Sequence, residues 1–233
     1  MSTLTLVRHG QAHAFEEDSD RLTPLGVEQM RRLGEYWARH NVRHTHAVSG
    51  TLRRHRESAE ALRNSGFALP EIEADARWNE YPAREILEHL LPAAAAADVR
   101  MAELRTAWIE SQAAERNRHF QRLLEPLMAA WLSGALAHPE VETAAAFRAR
   151  VKGALVRILD GPSGRDVVVF TSGGPIGVCV QETLGAPLGT FLDVNWRVNN
   201  ASLTEFTFSR GRIALDRFND LAHLDDWGMR SWR

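Results

Sequence analysis

Arg8-His9-Gly10 sets three chemically different groups in a row at the end of a short apolar run. An imidazole attacks phosphorus well when the ring is neutral and its second nitrogen is tied down, because the lone pair is then held on the first. Arg8 brings a planar fork suited to phosphoryl oxygens, and Gly10 lets the backbone approach closely. A surface histidine beside an unrelated arginine is the alternative, since a given tripeptide turns up by chance in about one chain in thirty of this length. Arg53-Arg54-His55-Arg56 offers more guanidinium groups, although a solvated helix face has the same composition. Glu80, in Trp78-Asn79-Glu80-Tyr81, could donate a proton if burial or the neighbouring rings raise its pKa. It reads equally as a loop carboxylate or helix cap. Thr171-Ser172-Gly173-Gly174-Pro175 ends a second apolar run and leads into another helix.

These residues must be carried by strands and helices in alternation. Thr3 to Val7, His46 to Ser49 and Asp166 to Phe170 read as strands, the last as a continuous apolar run buried on both faces. Thr23-Pro24 reads as N-cap and first residue of a helix to about Arg39, with Val27, Met30, Leu33, Tyr36 and Trp37 as its core stripe. A helix follows from Thr51 to Arg63. The stretch from Ala83 to Leu136 reads as helices broken near Pro92 and Pro126, and another helix runs from about Glu142 to Leu159. A further helix ends near Leu184-Gly185. Ser202 to Phe208 and Arg212 to Phe218 are joined by a turn at Ser209-Arg210-Gly211. The pattern predicts an α/β fold: a three-layer α/β/α sandwich, a mostly parallel central sheet with an antiparallel edge, and a helical insertion at about 83–136 within a single domain spanning 1–233.

The ordered set of motifs resembles the histidine phosphatase superfamily, which includes phosphoglycerate mutases. Leu6-Val7-Arg8-His9-Gly10-Gln11-Ala12 resembles its opening motif, and Asp20, Leu22-Thr23, Gly26 and Gln29 the stretch after the first loop. Ser49 to Arg53, Trp78 to Tyr81, Phe170 to Ile176, and Phe218-Asn219 to His223-Leu224 follow in the same order. The resemblance implies His9 as the nucleophile and Glu80 as the proton donor. It implies Arg8, Arg53, Ser172 and Gly173 as phosphate-binding residues and leaves Arg54 and Arg56 on the surface; His55 reads as facing outward. It also implies a histidine immediately before Gly-Gly, and Ser172 stands there instead. A hydroxyl donates one hydrogen bond but no charge, and losing such a donor typically costs about 10²–10³ in rate. His13 or His223 could compensate, or the chain could bind a phosphoester without turning it over. Phosphomonoester hydrolysis is favoured over mutase transfer, because Arg8 to His13 lacks the Glu-Ser continuation and Asn79-Glu80-Tyr81 the Arg-His extension of the mutase branch. No metal or other cofactor is implied, and the partner is a small phosphorylated substrate or inorganic phosphate.

Bulk composition narrows the rest. A net charge of -2 over 233 residues gives no general attraction to nucleic acid or an anionic membrane. Lys152 is the only lysine among 28 basic residues, leaving 28 − 1 = 27 arginines, which reads as codon bias rather than anion chemistry. Cys179, the only cysteine, permits no intrachain disulfide and sits in an apolar run as a small buried hydrophobe. Met1 to Arg8 has neither the basic start nor the long apolar core of a signal segment, which points to the cytoplasm. The other histidines (His40, His44, His46, His89, His119, His138) lack metal-ligand spacing. Trp108 and Trp131 read as packing residues or, less simply, the lining of an apolar substrate pocket.

Overall fold

An apolar run without alternation is stable as a strand only when both faces are covered, and Val167-Val168-Val169-Phe170 meets that condition. In the computed structural model, which describes residues 1–13 and 20–232, it lies at the centre of a six-stranded sheet. The strands are β1 (Ser2–Arg8), β2 (His46–Ser49), β3 (Ile72–Ala74), β4 (Asp166–Thr171), β5 (Leu203–Ser209) and β6 (Arg212–Asp220), in the order β3-β2-β4-β1-β5-β6. β1, β2, β3 and β4 are parallel, while β5 and β6 form the antiparallel edge. The β5–β6 turn puts Arg210 at φ 44° and Gly211 at φ 76°, the double left-handed pattern of a two-residue hairpin. β3 is not apparent in the sequence, being three residues of an exposed edge.

The helices are α1 (Pro24–Arg39), α2 (Arg53–Asn64), α3 (Ala83–Glu85), α4 (Leu91–Ala97), α5 (Val99–Ile109), α6 (Ala113–Ser133), α7 (Ala144–Leu159), α8 (Gly173–Leu184) and α9 (Thr190–Asn195). A π-turn, Ile86–Leu90, joins α3 to α4. One face of the sheet packs Val7, Val168 and Phe170 against Met30, Leu33 and Trp37 of α1 and Ala59 and Leu62 of α2. On the other face, Val48 and Val167 share a cleft with Ala154 and Ile158 of α7. α8, whose Ile176 and Val178 are buried, lies beside β1. The expected α1 stripe holds except at Val27, which is exposed; the stripe runs through Gly26, Met30, Leu33 and Trp37.

Two compact units emerge, Met1–Glu80 with Arg150–Arg233, and Tyr81–Ala149. The second extends past the expected Leu136 boundary. Within it, α6 runs unbroken through Pro126, contrary to the sequence expectation. Leu123, Leu124, Leu127, Met128 and Trp131 are buried along one face of α6. Their burial outweighs the about 3 kcal/mol that an interior proline costs. Trp131 packs on Tyr81 and Phe147, a core position, and Trp108 on Phe120. No helix among the described residues is long and apolar enough to cross a membrane.

The half-buried His44 and the buried His223 join the buried His9 and His55 in making the stability of the first unit depend on pH. Burial lowers His44, wedged edge-on against Trp37, to about 4, partly opposed by Asp166. Burial lowers His223, near Tyr36, to about 4 as well, partly opposed by Asp220. Both folded values lie below the ordinary 6.5, so below that pH the unfolded chain binds more protons and stability falls as pH drops towards 4. Thermal melts from pH 7 to pH 4 are expected to show a steep fall in Tm. His223→Gln should flatten it, each histidine accounting for up to about 3 kcal/mol; a Tm constant over that interval would contradict the assignment.

Candidate active site

β1 ends where the sheet still holds it. Arg8 is in register with Thr171 of β4. His9 N–H donates to Thr171 O at 2.9 Å, and His9 O accepts from Ala201 N–H at 3.1 Å and from Asn200 Nδ2 at 3.3 Å. Gly10 must be glycine, because a Cβ there would lie 2.3 Å from Gly26 O, and one on Gly26 would lie 2.1 Å from Gln11 O. The turn after β1 therefore presses directly on the start of α1. The same turn is tied by a buried network. Gln11 N–H donates to Gln29 Oε1, Gln29 Nε2 to Ser231 Oγ, and Ser231 Oγ to Asn200 Oδ1, with Asn200 returning to His9 O.

The His9 ring is buried, and its Nδ1 lies 2.7 Å from Gly10 O. A carbonyl can only accept, so Nδ1 carries the proton and Nε2 keeps its lone pair. Burial first, then the charges of Arg54 and Arg8 and the neighbouring His55, hold the ring well below its ordinary pKa, and it is neutral at pH 7. Arg8 is half-buried and Nη1 donates to Val198 O.

α2 supplies the second guanidinium, but not from the expected residue. Arg53 points outward with its side chain 47% exposed and Nε on Glu57 at 2.6 Å. Arg54 is 18% exposed. It donates from Nη1 to Asp20 Oδ1 at 2.6 Å and from Nη2 to Ser172 Oγ at 3.5 Å. His55, expected to face out, is fully buried. The reason is helix phase. His55, Ser58, Ala59 and Leu62 share the buried face at three- and four-residue spacing. Ser58 Oγ accepts from Gly10 N–H and donates to Arg54 O. Stepping back from Ala59 and Leu62 would have found Arg54 and His55 and put Arg53 with Glu57 on the outside. Asp20 also caps α2 by accepting from Arg53 N–H at 2.7 Å.

Glu80 follows a tethered loop. Asn79 exchanges hydrogen bonds with Thr51, at 2.7 Å to its N–H and 2.8 Å to its hydroxyl, and Thr171 Oγ1 donates to Trp78 O at 2.6 Å. Arg150, which sequence reasoning missed, clamps the loop by donating to the carbonyls of Arg77, Asn79 and Glu80. The Glu80 carboxylate accepts from Gly174 N–H at 3.1 and 3.2 Å, in the first turn of α8, where the helix dipole favours negative charge. Ser172, the N-cap of α8, is fully buried with Oγ 2.6 Å from His55 Nε2. A Cβ at Gly173 would lie 2.4 Å from Asn195 Oδ1, so glycine lets α9 approach there.

His9, Arg8, Arg54, Ser172, the α8 N-terminus and Glu80 thus belong to one end of the sheet, beyond the carboxyl ends of β1 and β4, while the Arg53 side chain is exposed beside Glu57. A histidine does stand beside Ser172, and it is His55. Glu16, Glu17 and Asp18 of the first loop fall outside the described residues. Among the described residues, His89, His138 and Glu140 bring ligand atoms within 4.8 Å of one another, which their spacing did not reveal. The two imidazoles are stacked at 4.6 Å with planes 10° apart, which sets their in-plane lone pairs in parallel layers rather than on one point.

Comparisons with known proteins bear on the fold and the family. The Bacillus stearothermophilus protein YhfR aligns with a TM-score of 0.67 at 19% identity, covering 97% of this chain and 100% of that one. A phosphoglycerate mutase from Bacillus anthracis gives 0.64 at 20%, covering 96% and 95%. A mutant phosphoserine phosphatase from Entamoeba histolytica, in complex with phosphoserine, gives 0.62 at 16%, covering 96% and 100%. At these identities the likeness is one of fold. No curated protein matches the chain. The sequence profile of the histidine phosphatase superfamily (branch 1) matches residues 4–124 and 83–221, nearly the whole length, and the chain belongs to that superfamily.

Proposed function

We propose that this protein is a phosphomonoester hydrolase working through a phosphohistidine on His9. The observation that carries the reading is the Nδ1 hydrogen bond to Gly10 O, which leaves a neutral Nε2 as nucleophile with Arg54 and Arg8 close enough to act on the ring. Nε2 attacks phosphorus as the ester P–O bond breaks, and the departing oxygen takes the proton that Glu80 carries in the substrate complex, where the negative charge of the bound phosphoester opposes the ionising effect of the α8 N-terminus. Glu80 carboxylate then accepts a proton from water, whose oxygen attacks phosphorus. The N–P bond breaks and its electron pair returns to Nε2, so the net change is ester plus water to alcohol plus phosphate. Arg8 and Arg54 hold the equatorial oxygens and supply the charge neutralisation that Mg²⁺ gives in other phosphoryl-transfer sites, so no metal is required. Gly173 and the α8 N-terminus add a favourable field. The substrate class is a small phosphorylated molecule, in keeping with the phosphoserine held by the Entamoeba enzyme.

Ser172 favours a second reading, a phosphate-binding protein that turns over slowly or not at all. Trapping separates the two. With a generic aryl phosphate at pH 4–8 and an alkaline denaturing quench, peptide mapping is expected to find one phosphoryl group on the His9 peptide alongside release of the aryl alcohol. An unmodified peptide together with no release would leave only the binding protein.

A further inference from the structure

His55 takes no part in the steps above, yet it is fully buried with its ring centre 5.8 Å from that of His9. Room for it has been made: a Cβ on Gly50 would lie 2.2 Å from His55 Nδ1 and 2.9 Å from Cε1. Nε2 faces the other way, 2.6 Å from Ser172 Oγ. We propose that His55 and Ser172 together form a second donor arm of the phosphate site, in which His55 Nε2–H holds the serine hydroxyl so that its proton is given to a phosphoryl oxygen on His9. The proposal rests on the phosphohistidine reading. In it Ser172 touches the phosphoryl group and His55 is a positioning residue.

The proton count supports this direction of donation. Burial, then the charge of Arg54, hold the His55 ring well below its ordinary pKa, so it carries a single N–H. Its Nδ1 is buried with no hydrogen-bond partner. A buried N–H without an acceptor is the rarer orphan, so the proton belongs on Nε2. Ser172 Oγ then receives His55 Nε2–H and, at 3.5 Å, Arg54 Nη2–H. A hydroxyl has two lone pairs and one proton. With these two donors on its lone pairs and no helix N–H competing for them, the hydroxyl keeps its proton for an acceptor. The acceptor this site offers is a phosphoryl oxygen. The imidazole that the resemblance expects just before Gly173-Gly174 therefore reaches the site from α2, with serine bridging the gap. A histidine placed at 172 while His55 stays would drive its ring into the one already there.

A double-mutant cycle on kcat/KM for an aryl phosphate tests the arm. His55→Leu and Ser172→Ala are each expected to lose about 10²-fold, and the pair together no more than either alone. His55→Gln, which offers an N–H at the Nε2 position, should stay within about tenfold of the parent. The exchange His55→Ala with Ser172→His should exceed both of its single variants. Additive losses, or His55→Leu at the parent rate, overturn the proposal. If His55→Leu does not fold, His55→Gln against the shorter His55→Asn carries the comparison, and equal activities overturn it. Where the parent shows no His9-dependent turnover, the phosphohistidine reading has failed instead. The arm is then read from inorganic phosphate binding by calorimetry: about tenfold weaker binding in Ser172→Ala and His55→Leu supports it, and unchanged binding overturns it.

Discussion

His9→Ala is expected to lower aryl phosphate turnover by about 10⁴-fold or more, the scale seen when a covalent nucleophile is removed. The substitution deletes Nε2, whose lone pair the site fixes, together with the Nδ1 bond to Gly10 O that fixes it. Arg8, Arg54 and Glu80 survive the change, and they can orient a phosphoester but cannot accept the phosphoryl group. Residual activity should therefore reflect binding and electrostatics alone. The fold is expected to persist, because the bonds from Thr171, Ala201 and Asn200 are made to the backbone of residue 9. The measurement is initial rate alongside circular dichroism and Tm. A folded His9→Ala protein that hydrolyses at the parent rate would end the phosphohistidine reading.

Arg54→Ala is expected to reduce kcat/KM by about 10³-fold, and Arg53→Ala by less than about threefold. The difference follows from where each guanidinium goes. Arg54 is held by Asp20 and leans on Ser172, and its charge acts on both His9 and His55. Arg53 is an exposed side chain on Glu57, one helix step away. Arg54→Lys should recover only part of the loss, since an ammonium lacks the two-pronged geometry that spans Asp20 and a phosphoryl oxygen. Steady-state kinetics on the three proteins decides it. A larger defect from Arg53 than from Arg54 would mean that α2 presents a different face in solution.

Much of this was legible in the residues. Thr23-Pro24 placed the start of α1, and Thr23 Oγ1 does accept from Gly26 N–H. The unbroken apolarity of Val167 to Phe170 identified the central strand, and the Arg210-Gly211 turn the antiparallel edge. What failed did so for identifiable reasons. Pro126 was read by its local cost, whereas the buried leucines on either side decide whether α6 continues. Arg53 was chosen by linear correspondence to a motif, whereas a helix turns about 100° per residue, so one step in register moves a side chain from solvent to the site. His55 lies on the same buried face, which its position among charged neighbours conceals. Arg150 and Gly50 gave no local signal, because their roles lie in carbonyls and a ring contributed by distant segments.

The network from Gln29 through Ser231 and Asn200 to His9 has a consequence for the order in which the molecule is made. During translation His9 leaves the ribosome early, while Ser231 is still far from being incorporated. β1 also waits for both of its sheet neighbours, β4 and β5, which come late in the chain. A nascent chain can thus carry His9 through the synthesis of all these segments without the surroundings that orient its ring. The surroundings of His9 are therefore complete only after β4, β5 and Ser231 have been made and have closed around β1.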